Sequence, residues 1–300
     1  MSSLKDKFEK ESYQFLDSNL KKLKIKKNDC IYFGLDLKNF YVPFIKYFKE
    51  EPKLLNNEYL CSLFLKNLKQ YFLPNGTIVF PSFTWEFIKK KKFHIKKTIP
   101  QLGVFEKYIF KKKDFLRSAH PINSIVSIGK KSKYLTKDHG LFSFGANSPY
   151  NKFNEIDLKF VNIGVPFYNS CTFSHHLEHI NGVNHRFYKI IRGSVFEKNK
   201  YIKKNFFFLV KYKYFDKYLE RNEQFLNKIL IKKNKAKKFT SKNVFFFSSS
   251  SNDVTKIGLD ILKSCPSGLM KKKIFIYLKE GNKLMKNKNK KNIVFKLDAK

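Results

Sequence analysis

Short apolar runs alternate with helical patterns along most of this 300-residue chain. Short runs rich in β-branched and aromatic residues are typical of buried strands, whereas apolar residues three and four apart are typical of amphipathic helices. Strands are predicted over residues 30–35, 77–80, 125–128, 160–165, 187–196, 205–214 and 244–247. Helices are predicted over residues 56–71, 172–181, 216–231 and 253–264. The alternation predicts an α/β fold, a layered α/β/α arrangement with a mixed β-sheet, and a small antiparallel β addition in the C-terminal third.

Residues 171–179 read Cys-Thr-Phe-Ser-His-His-Leu-Glu-His and hold three of the seven histidines of the chain. Thr172 is of a type that caps helices and Gly182 of a type that ends them, so this segment is predicted to be a helix with His175 at its third position. There the positive end of the helix dipole disfavours an imidazolium and keeps His175 neutral near pH 7. Glu178 follows three residues later on the same face. The pair therefore suits a histidine general base oriented by a carboxylate.

Other interpretations of the same segment stay open. Residues 175–179 match His-x-x-Glu-His, a zinc hydrolase pattern whose third ligand would come from a second helix, with Glu220 and Glu223 as candidates. Cys171 is a rival nucleophile for covalent catalysis, although its thiol equally suits a small buried residue. His176 and His179 also suit the plain role of hydrogen-bonded structural residues.

Four sequence blocks decide in favour of the general base. They are Gly76-Thr-Ile-Val-Phe-Pro-Ser-Phe-Thr84, Arg117-Ser-Ala-His-Pro-Ile-Asn-Ser124, Phe144-Gly-Ala-Asn-Ser-Pro149 and Thr172-x-x-His175-x-x-Glu178. In this order and spacing they resemble the aminoglycoside 3-N-acetyltransferase family over residues 29–270. The resemblance implies an antibiotic N-acetyltransferase that takes its acetyl group from acetyl-CoA, with no metal.

The resemblance also implies roles for single residues. His175 would be the base that takes a proton from the attacking amine, and Glu178 would orient its ring. The amine would then attack the thioester directly, without a covalent intermediate. Arg186 lies where the family tends to carry an arginine after its active-site helix, and it is expected to contact the substrate.

Polar residues of the other blocks complete the predicted site. Arg117 is one of only four arginines, and its planar guanidinium suits binding a cofactor phosphate, with a structural salt bridge as the alternative. His120 precedes a proline, so it is expected to be extended and aimed into a cleft, for catalysis or for a structural hydrogen bond. The remaining predicted contacts are made by hydroxyl groups. Ser118, Ser124 and Ser148 are expected to contact the cofactor. Ser82 and Thr84, at the carboxyl end of a strand, are expected to contact the substrate.

The stretch after the first core strand departs from the family pattern. Many members carry a His-Ser-Ser-like segment there, whereas residues 30–40 read Cys-Ile-Tyr-Phe-Gly-Leu-Asp-Leu-Lys-Asn-Phe. Acidic residues near the predicted site are few, namely Glu86, Glu106, Glu155 and Asp157. A polycationic aminoglycoside binds best among several carboxylates. The favoured acceptor is therefore a cell-surface or nucleotide-linked amino sugar, with an aminoglycoside as the alternative.

Net charge by itself points to a different partner. The chain has 62 Lys+Arg against 24 Asp+Glu, a formal charge of +38, which is typical of proteins that bind nucleic acid or an anionic membrane face. The lysines, however, are spread along the whole sequence among many Asn, Ile, Phe and Tyr residues, which indicates compositional drift and argues against nucleic acid. A non-catalytic basic binding protein stays an alternative, and it requires the lysines to share one face.

Composition divides the chain into three parts. Residues 1–28 are predicted to be an N-terminal surface helix, residues 29–270 the catalytic domain, and residues 271–300 a lysine-rich C-terminal segment. The start lacks the uninterrupted apolar core of a signal peptide, no apolar run is long enough for a membrane span, and the four cysteines show no Cys-x-x-Cys pair. The sequence thus predicts a cytoplasmic protein with reduced cysteines, and a homodimer is a possible assembly.

Overall fold

The computed structural model describes residues 3–213, 223–265 and 268–269. The helices are α1 (Leu4–Lys22), α2 (Leu37–Tyr41), α3 (Ile45–Glu50), α4 (Asn57–Phe72), α5 (Phe87–Lys90), α6 (Val104–Phe110), α7 (Ser132–Thr136), α8 (Pro149–Glu155), α9 (Phe167–Ser170), α10 (Phe173–Ile180), α11 (Glu223–Lys232) and α12 (Ser251–Ser264). The strands are β1 (Cys30–Leu35), β2 (Thr77–Pro81), β3 (Lys92–Phe93), β4 (Leu116–Arg117), β5 (Ile125–Gly129), β6 (Lys159–Ile163), β7 (Arg186–Glu197), β8 (Lys200–Lys211), β9 (Ala236–Ser241) and β10 (Val244–Ser250). The predicted segment 271–300 and the first part of the helix predicted over 216–231 lie outside the described residues.

Seven strands form the central sheet in the order β4-β5-β2-β1-β6-β10-β9. Strand β1 pairs in parallel with β2 and with β6, so that Ile31 lies opposite Ile78 and Phe33 opposite Val161. The outer strands pair antiparallel, which confirms the predicted mixed sheet. Because β1, β2 and β6 are adjacent and parallel, the segments that follow them leave from the same edge of the sheet.

Each face of the sheet carries its own core, because successive side chains of a strand point to opposite faces. Ile31 and Phe33 belong to a first core that includes residues of α1, α4 and α6. Tyr32, between them, belongs to a second core with residues of α8, α10 and α12. The layered α/β/α arrangement is therefore confirmed. Helix α1 contributes four buried side chains to the first core, those of Phe8, Phe15, Leu16 and Leu20.

The predicted hairpin forms a separate three-stranded sheet. Strands β7 and β8 pair antiparallel from Arg186 opposite Lys211 to Glu197 opposite Lys200. Strand β3 joins in parallel, with Lys92 opposite Ser194. A third small core lies under this sheet and includes Phe87, Phe93, Ile191 and Phe206. The hairpin begins shortly after α10, so its first residues lie beside the histidine-rich helix.

The elements that were not predicted are short or lie at sheet edges. Strands β3 and β4 have two residues each, too few for a periodic signal, and β9 is a lysine-containing edge strand. Among the helices of the described ranges, none combines the length and the apolar content that crossing a bilayer requires. The four cysteines all lie among the described residues and form no disulfide there.

Candidate active site

The helix that carries the histidines follows β6 through a tight turn and the short helix α9. Gly164 adopts a left-handed backbone after β6, with φ +72°. Thr172 does not cap α10, contrary to the prediction, since its backbone is already helical (φ −61°, ψ −23°) and its side chain makes no capping hydrogen bond. His175 is nevertheless the third residue of α10, and Gly182, with φ +63°, follows the end of the helix as predicted.

Glu178 is the centre of a buried group of charged and titratable side chains. His175 Nδ1 lies 2.7 Å from Glu178 Oε2, and His185 Nε2 lies 3.2 Å from Oε1. Arg186 Nε forms an ion pair with Oε2 at 2.6 Å. We call His175, Glu178, His185 and Arg186 the Glu178 cluster. It joins a helix to the first residues of the hairpin.

Burial by itself would favour the neutral form of Glu178, whose exposed fraction is 1 %. The positive charge of Arg186 and the hydrogen bonds with His175 and His185 outweigh that effect, so the pKa of Glu178 lies well below its usual range. An ionised carboxylate accepts hydrogen bonds only, so the Nδ1 of His175 carries a proton, and in the neutral form of the ring the lone pair lies on Nε2. The His175 ring is 9 % exposed and packs edge-on against Phe144 at 5.8 Å between centroids. This tautomer is the one that a general base requires.

The two other histidines of α10 hold the block at residues 144–149. The Gly145 N–H donates to His176 Nδ1 at 3.1 Å, and burial, followed by the neighbouring His179, lowers the pKa of His176 to about 3. His179 Nδ1 lies 3.0 Å from the Tyr188 hydroxyl. Gly145 has φ +93°, and a Cβ there would overlap the His179 ring, so only glycine fits this contact. His176 and His179 therefore have the structural role that the sequence had left open.

The zinc interpretation is disfavoured by this geometry. In the described ranges, no three His, Cys, Asp or Glu side chains converge in a way that could hold a metal ion. His175 and Glu178 bind each other, and Glu178 also binds Arg186, whereas a metal site would keep the glutamate for the metal-bound water. Glu220 and the side chain of Glu223 lie outside the described residues. Cys171 is buried in the second core.

Arg117 lies in a second polar region, the turn between β4 and β5, which we call loop 117–124. Its Nη1 donates to the carbonyl of Thr98 at 2.6 Å and to that of Ile95 at 3.4 Å. Its Nη2 donates to the carbonyl of Ser82 at 2.7 Å, and its Nε donates to Ser124 Oγ at 3.0 Å. The guanidinium also lies between the rings of Phe93 and Phe110, 4.9 and 5.0 Å from their centroids. Burial lowers the pKa of Arg117 to about 9. These contacts favour a structural role over a cofactor phosphate contact.

The other predicted residues of this region are bound in the same way. His120 Nδ1 accepts from the N–H groups of Ile122 and Asn123 at 3.2 and 3.1 Å, and burial lowers its pKa to about 3. Ser118 Oγ accepts from the Ile125 N–H, and Ser124 Oγ donates to the Ser82 carbonyl. Thr84 Oγ1 donates to the Pro121 carbonyl, and Ser148 Oγ donates to the Gly145 carbonyl. Each of these side chains is thus bound to main-chain groups, Ser124 and Thr84 across distant segments and His120 and Ser148 within their own turns.

The structure thus brings together His175, Glu178 and Arg186 from the predicted site and adds His185, which the sequence analysis missed. A signal was present, since His185 directly precedes Arg186 and follows the turn at Gly182. In the described part of the chain, the hydrogen bonds of Arg117, Ser118, His120 and Ser124 run to residues outside the Glu178 cluster. A surface pocket of about 330 Å³ lies beside Ser148, and its lining includes Lys137, Asn147 and Lys152 but no member of the Glu178 cluster.

Comparison with known proteins gives matches in both sequence and structure. Residues 58–253 match the family model for aminoglycoside 3-N-acetyltransferase. The structure of AAC-IIIb with CoASH aligns with a TM-score of 0.66 at 16 % identity, covering 84 % of this chain and 96 % of that chain. The sisomicin-bound AAC-VIa aligns with a TM-score of 0.67 at 14 % identity, covering 85 % and 97 %. YokD from Bacillus subtilis aligns with a TM-score of 0.64 at 16 % identity, covering 83 % and 97 %. At these identities the structural matches indicate a shared fold, and no curated protein sequence gives a significant match.

Proposed function

The chain belongs to the aminoglycoside 3-N-acetyltransferase family, and we propose that it moves an acetyl group from acetyl-CoA to an amino group of an aminoglycoside or another amino sugar. The observation that carries the proposal is the 2.7 Å contact between His175 Nδ1 and the ionised Glu178. It gives a buried imidazole the tautomer and the orientation of a general base.

In the proposed reaction His175 Nε2 takes a proton from the acceptor nitrogen as that nitrogen attacks. Acetyl-CoA supplies a thioester carbonyl, so a C–N bond forms, the C–S bond breaks, and the sulfur leaves and is protonated. Glu178 stabilises the imidazolium that forms on His175, while Arg186 and His185 keep Glu178 ionised and fixed in place. General base catalysis contributes roughly a hundred- to ten-thousand-fold, and holding amine and thioester together supplies much of the rest.

Buried polar atoms at loop 117–124 suit the amide groups of a bound pantetheine chain. Ser82 Oγ and Asn123 Oδ1 are buried and have no hydrogen-bond partner among the described residues. An unsatisfied buried polar atom is unfavourable, so a ligand that satisfies it gains affinity. By contrast, the hydroxyls of Ser118, Ser124 and Ser148 already bind main chain, and we do not carry these residues or Arg117 into the proposed cofactor contacts.

A coenzyme A release assay tests the proposal. Acetyl-CoA is offered with a panel of aminoglycosides, nucleotide-linked amino sugars and a blank without amine. We expect amine-dependent release of coenzyme A, with an acetylated amine identified by mass spectrometry. Release of coenzyme A that does not depend on any amine would contradict the proposal. So would release that is lost when a chelator removes a bound zinc ion.

The distribution of lysines disfavours the basic binding protein. Exposed lysines lie on both outer helical layers and on the hairpin, for example Lys10 on α1, Lys256 on α12 and Lys203 on β8. A polyanion-binding surface needs them on one face. The use of acetyl-CoA would suit the predicted cytoplasmic location, and the predicted homodimer stays a prediction.

A further inference from the structure

Arg186, the first residue of β7, has hydrogen-bond donors that the described residues leave open. Its side chain is 7 % exposed, and its Nε lies 2.6 Å from Glu178 Oε2. Glu178 is its only polar partner in the described ranges, and even this ion pair lacks the geometry of a hydrogen bond at Nε. The two Nη groups, which together carry four N–H donors, therefore have no hydrogen-bond acceptor there.

Arg117 is a fully bound arginine in the same chain. It is buried as well, and its Nε, Nη1 and Nη2 all donate to protein oxygens, among them those of Ser124, Thr98 and Ser82. A guanidinium that loses water without gaining hydrogen-bond acceptors costs free energy. The contrast indicates that the open donors of Arg186 are satisfied by a group that a ligand brings.

The open donors belong to a side chain that lies beside the proposed base. His175 Nδ1 and Arg186 Nε contact the same carboxylate oxygen, Glu178 Oε2, at 2.7 and 2.6 Å. The imidazole and the guanidinium are therefore neighbours across a single oxygen atom. A group that binds to Arg186 thus lies close to the nitrogen that His175 deprotonates, and a small amine substrate can carry both.

The charge of the hairpin that carries Arg186 favours an anion as this group. Residues 186–211 contain eight Lys/Arg and one acid, Glu197, which is already paired with Lys204. Lys211 lies directly opposite Arg186 in the hairpin register. A positive field attracts anions and repels cations. The hairpin therefore opposes a polycationic amine substrate and favours one that carries a negative group.

We propose that the two Nη groups of Arg186 bind a phosphate or carboxylate of the amine substrate, close to the nitrogen that His175 deprotonates. The planar guanidinium presents paired N–H groups whose spacing matches two oxygens of either anion. Nε stays with Glu178, so binding of the anion leaves the Glu178 cluster intact. This inference rests on the proposed function and selects, among its substrates, an amino sugar with an anionic group over a polycationic aminoglycoside.

Binding of related amines tests the inference without turnover. Glucosamine has the amine alone, glucosamine 1-phosphate has a phosphate beside the amine, and muramic acid has a carboxylate beside it. NMR titration measures weak as well as tight binding of all three and of kanamycin, the polycationic comparison. We expect at least one anionic amine to bind roughly tenfold or more tightly than glucosamine, and more tightly than kanamycin. The tighter of the two anionic amines shows whether the site takes a phosphate or a carboxylate.

Replacing Arg186 should remove this preference. Arg186→Gln loses both the charge and the paired donors, so its affinity for the preferred anionic amine should fall roughly 10- to 100-fold, while its affinity for glucosamine should be unchanged. Arg186→Lys keeps a positive charge beside Glu178 without the paired donors and should recover only part of the lost affinity. Arg192→Gln removes an exposed arginine from the same strand and should bind every amine like the wild type.

Other roles of Arg186 predict different results. If Arg186 only holds Glu178, Arg186→Gln lowers Tm and kcat but leaves the ratio of anionic to neutral amine affinity unchanged, which would overturn the inference. Loss of acetyl-CoA affinity in place of amine affinity would also overturn it, as would a wild-type protein that binds glucosamine or kanamycin as tightly as both anionic amines. A protein that binds an anionic amine through Arg186 but acetylates no amine would refute the proposed function alone.

Discussion

Loop 117–124 and the Glu178 cluster are both buried, polar and histidine-containing, yet they satisfy their charges in opposite ways. In loop 117–124 the cation of Arg117 meets main-chain carbonyls and one serine hydroxyl, none of which titrates near neutral pH. In the Glu178 cluster an anion meets one arginine and two histidines. The first arrangement has a single charge state and suits a scaffold. The second can accept and release a proton without losing its partners, as a catalytic base must.

The comparison also shows why a conspicuous motif is not sufficient to identify a site. Arg117 opens one of the polar blocks that resemble the family and Arg186 follows another, and both were predicted to contact a ligand. Arg117 has its donors bound by three carbonyls from two stretches of chain, whereas Arg186 is paired with a single carboxylate. The groups that contact a buried charge, and not the motif that contains it, therefore indicate its role.

Replacing His175 should have the largest effect on activity. His175→Ala should lower kcat by roughly a hundred- to ten-thousand-fold, because the proposed base is lost, and should leave acetyl-CoA affinity nearly intact. Stopped-flow or end-point detection of released coenzyme A measures kcat, and calorimetry measures the affinity. A variant that keeps near-wild-type kcat would place the base elsewhere.

Replacing Arg117 should instead act on stability. Arg117→Ala leaves buried carbonyls without donors and opens a cavity between Phe93 and Phe110, so the free energy of unfolding should fall by about 3 kcal/mol or more. Urea denaturation measures this loss. Acetyl-CoA affinity of the folded protein should be unchanged. A drop in that affinity with wild-type stability would return Arg117 to the cofactor site and remove the contrast between the two regions.

Glu178→Gln should have a milder effect on turnover than loss of His175. The amide keeps the shape and a hydrogen-bonding group but no longer stabilises the imidazolium, so kcat should fall roughly tenfold to a thousandfold. It also leaves Arg186 buried without its anion, so Tm should fall as well. The same coenzyme A assay and a thermal melt report both quantities. Wild-type kcat in this variant would remove Glu178 from the proposed mechanism.

Acid should destabilise loop 117–124 before it affects the Glu178 cluster. His120 has a folded pKa of about 3 against an unfolded value of about 6.5, so its contribution to stability is present above pH 6.5 and is lost as the pH falls towards 3, by about 1.4 kcal/mol per pH unit. Glu178, whose pKa is depressed, contributes above its unfolded pKa of about 4.3 and loses that contribution only as the pH falls further. The midpoints of urea denaturation, measured at pH 7 and at pH 5, test this order. His120→Gln should reduce the difference between the two midpoints, and an unchanged difference would show that another group causes it.

His179→Ala should have the smallest effect of the series on chemistry. It removes the contact with Tyr188 and loosens the block at residues 144–149, so kcat should fall by no more than about tenfold. Elemental analysis of wild type and variant completes the test. Loss of a stoichiometric zinc ion together with all activity would restore the zinc interpretation of residues 175–179.

Much of the fold could be predicted because its signals are local. Strands β1, β2, β5 and β6 are apolar runs bounded by turn residues, and helices α4 and α12 show a clear helical period, so both the layered sheet and the hairpin were predicted. Strand β9 was missed because its lysines and its single phenylalanine give no apolar run, and β10 supplies the pairing that makes it a strand. Thr172 was predicted as a cap from its residue type, but the preceding helix α9 decided its backbone conformation instead.

For the site, the sequence by itself determined the pair His175 and Glu178, since residues three apart on a helix meet whatever surrounds the helix. It also determined the family, through the order of four polar blocks. Only the tertiary structure decided which arginine serves which region and that His185 completes the cluster. The physical reason is that burial replaces the water around a charged side chain with protein groups, and these groups fix what the charge can do. They come from segments that are distant in sequence.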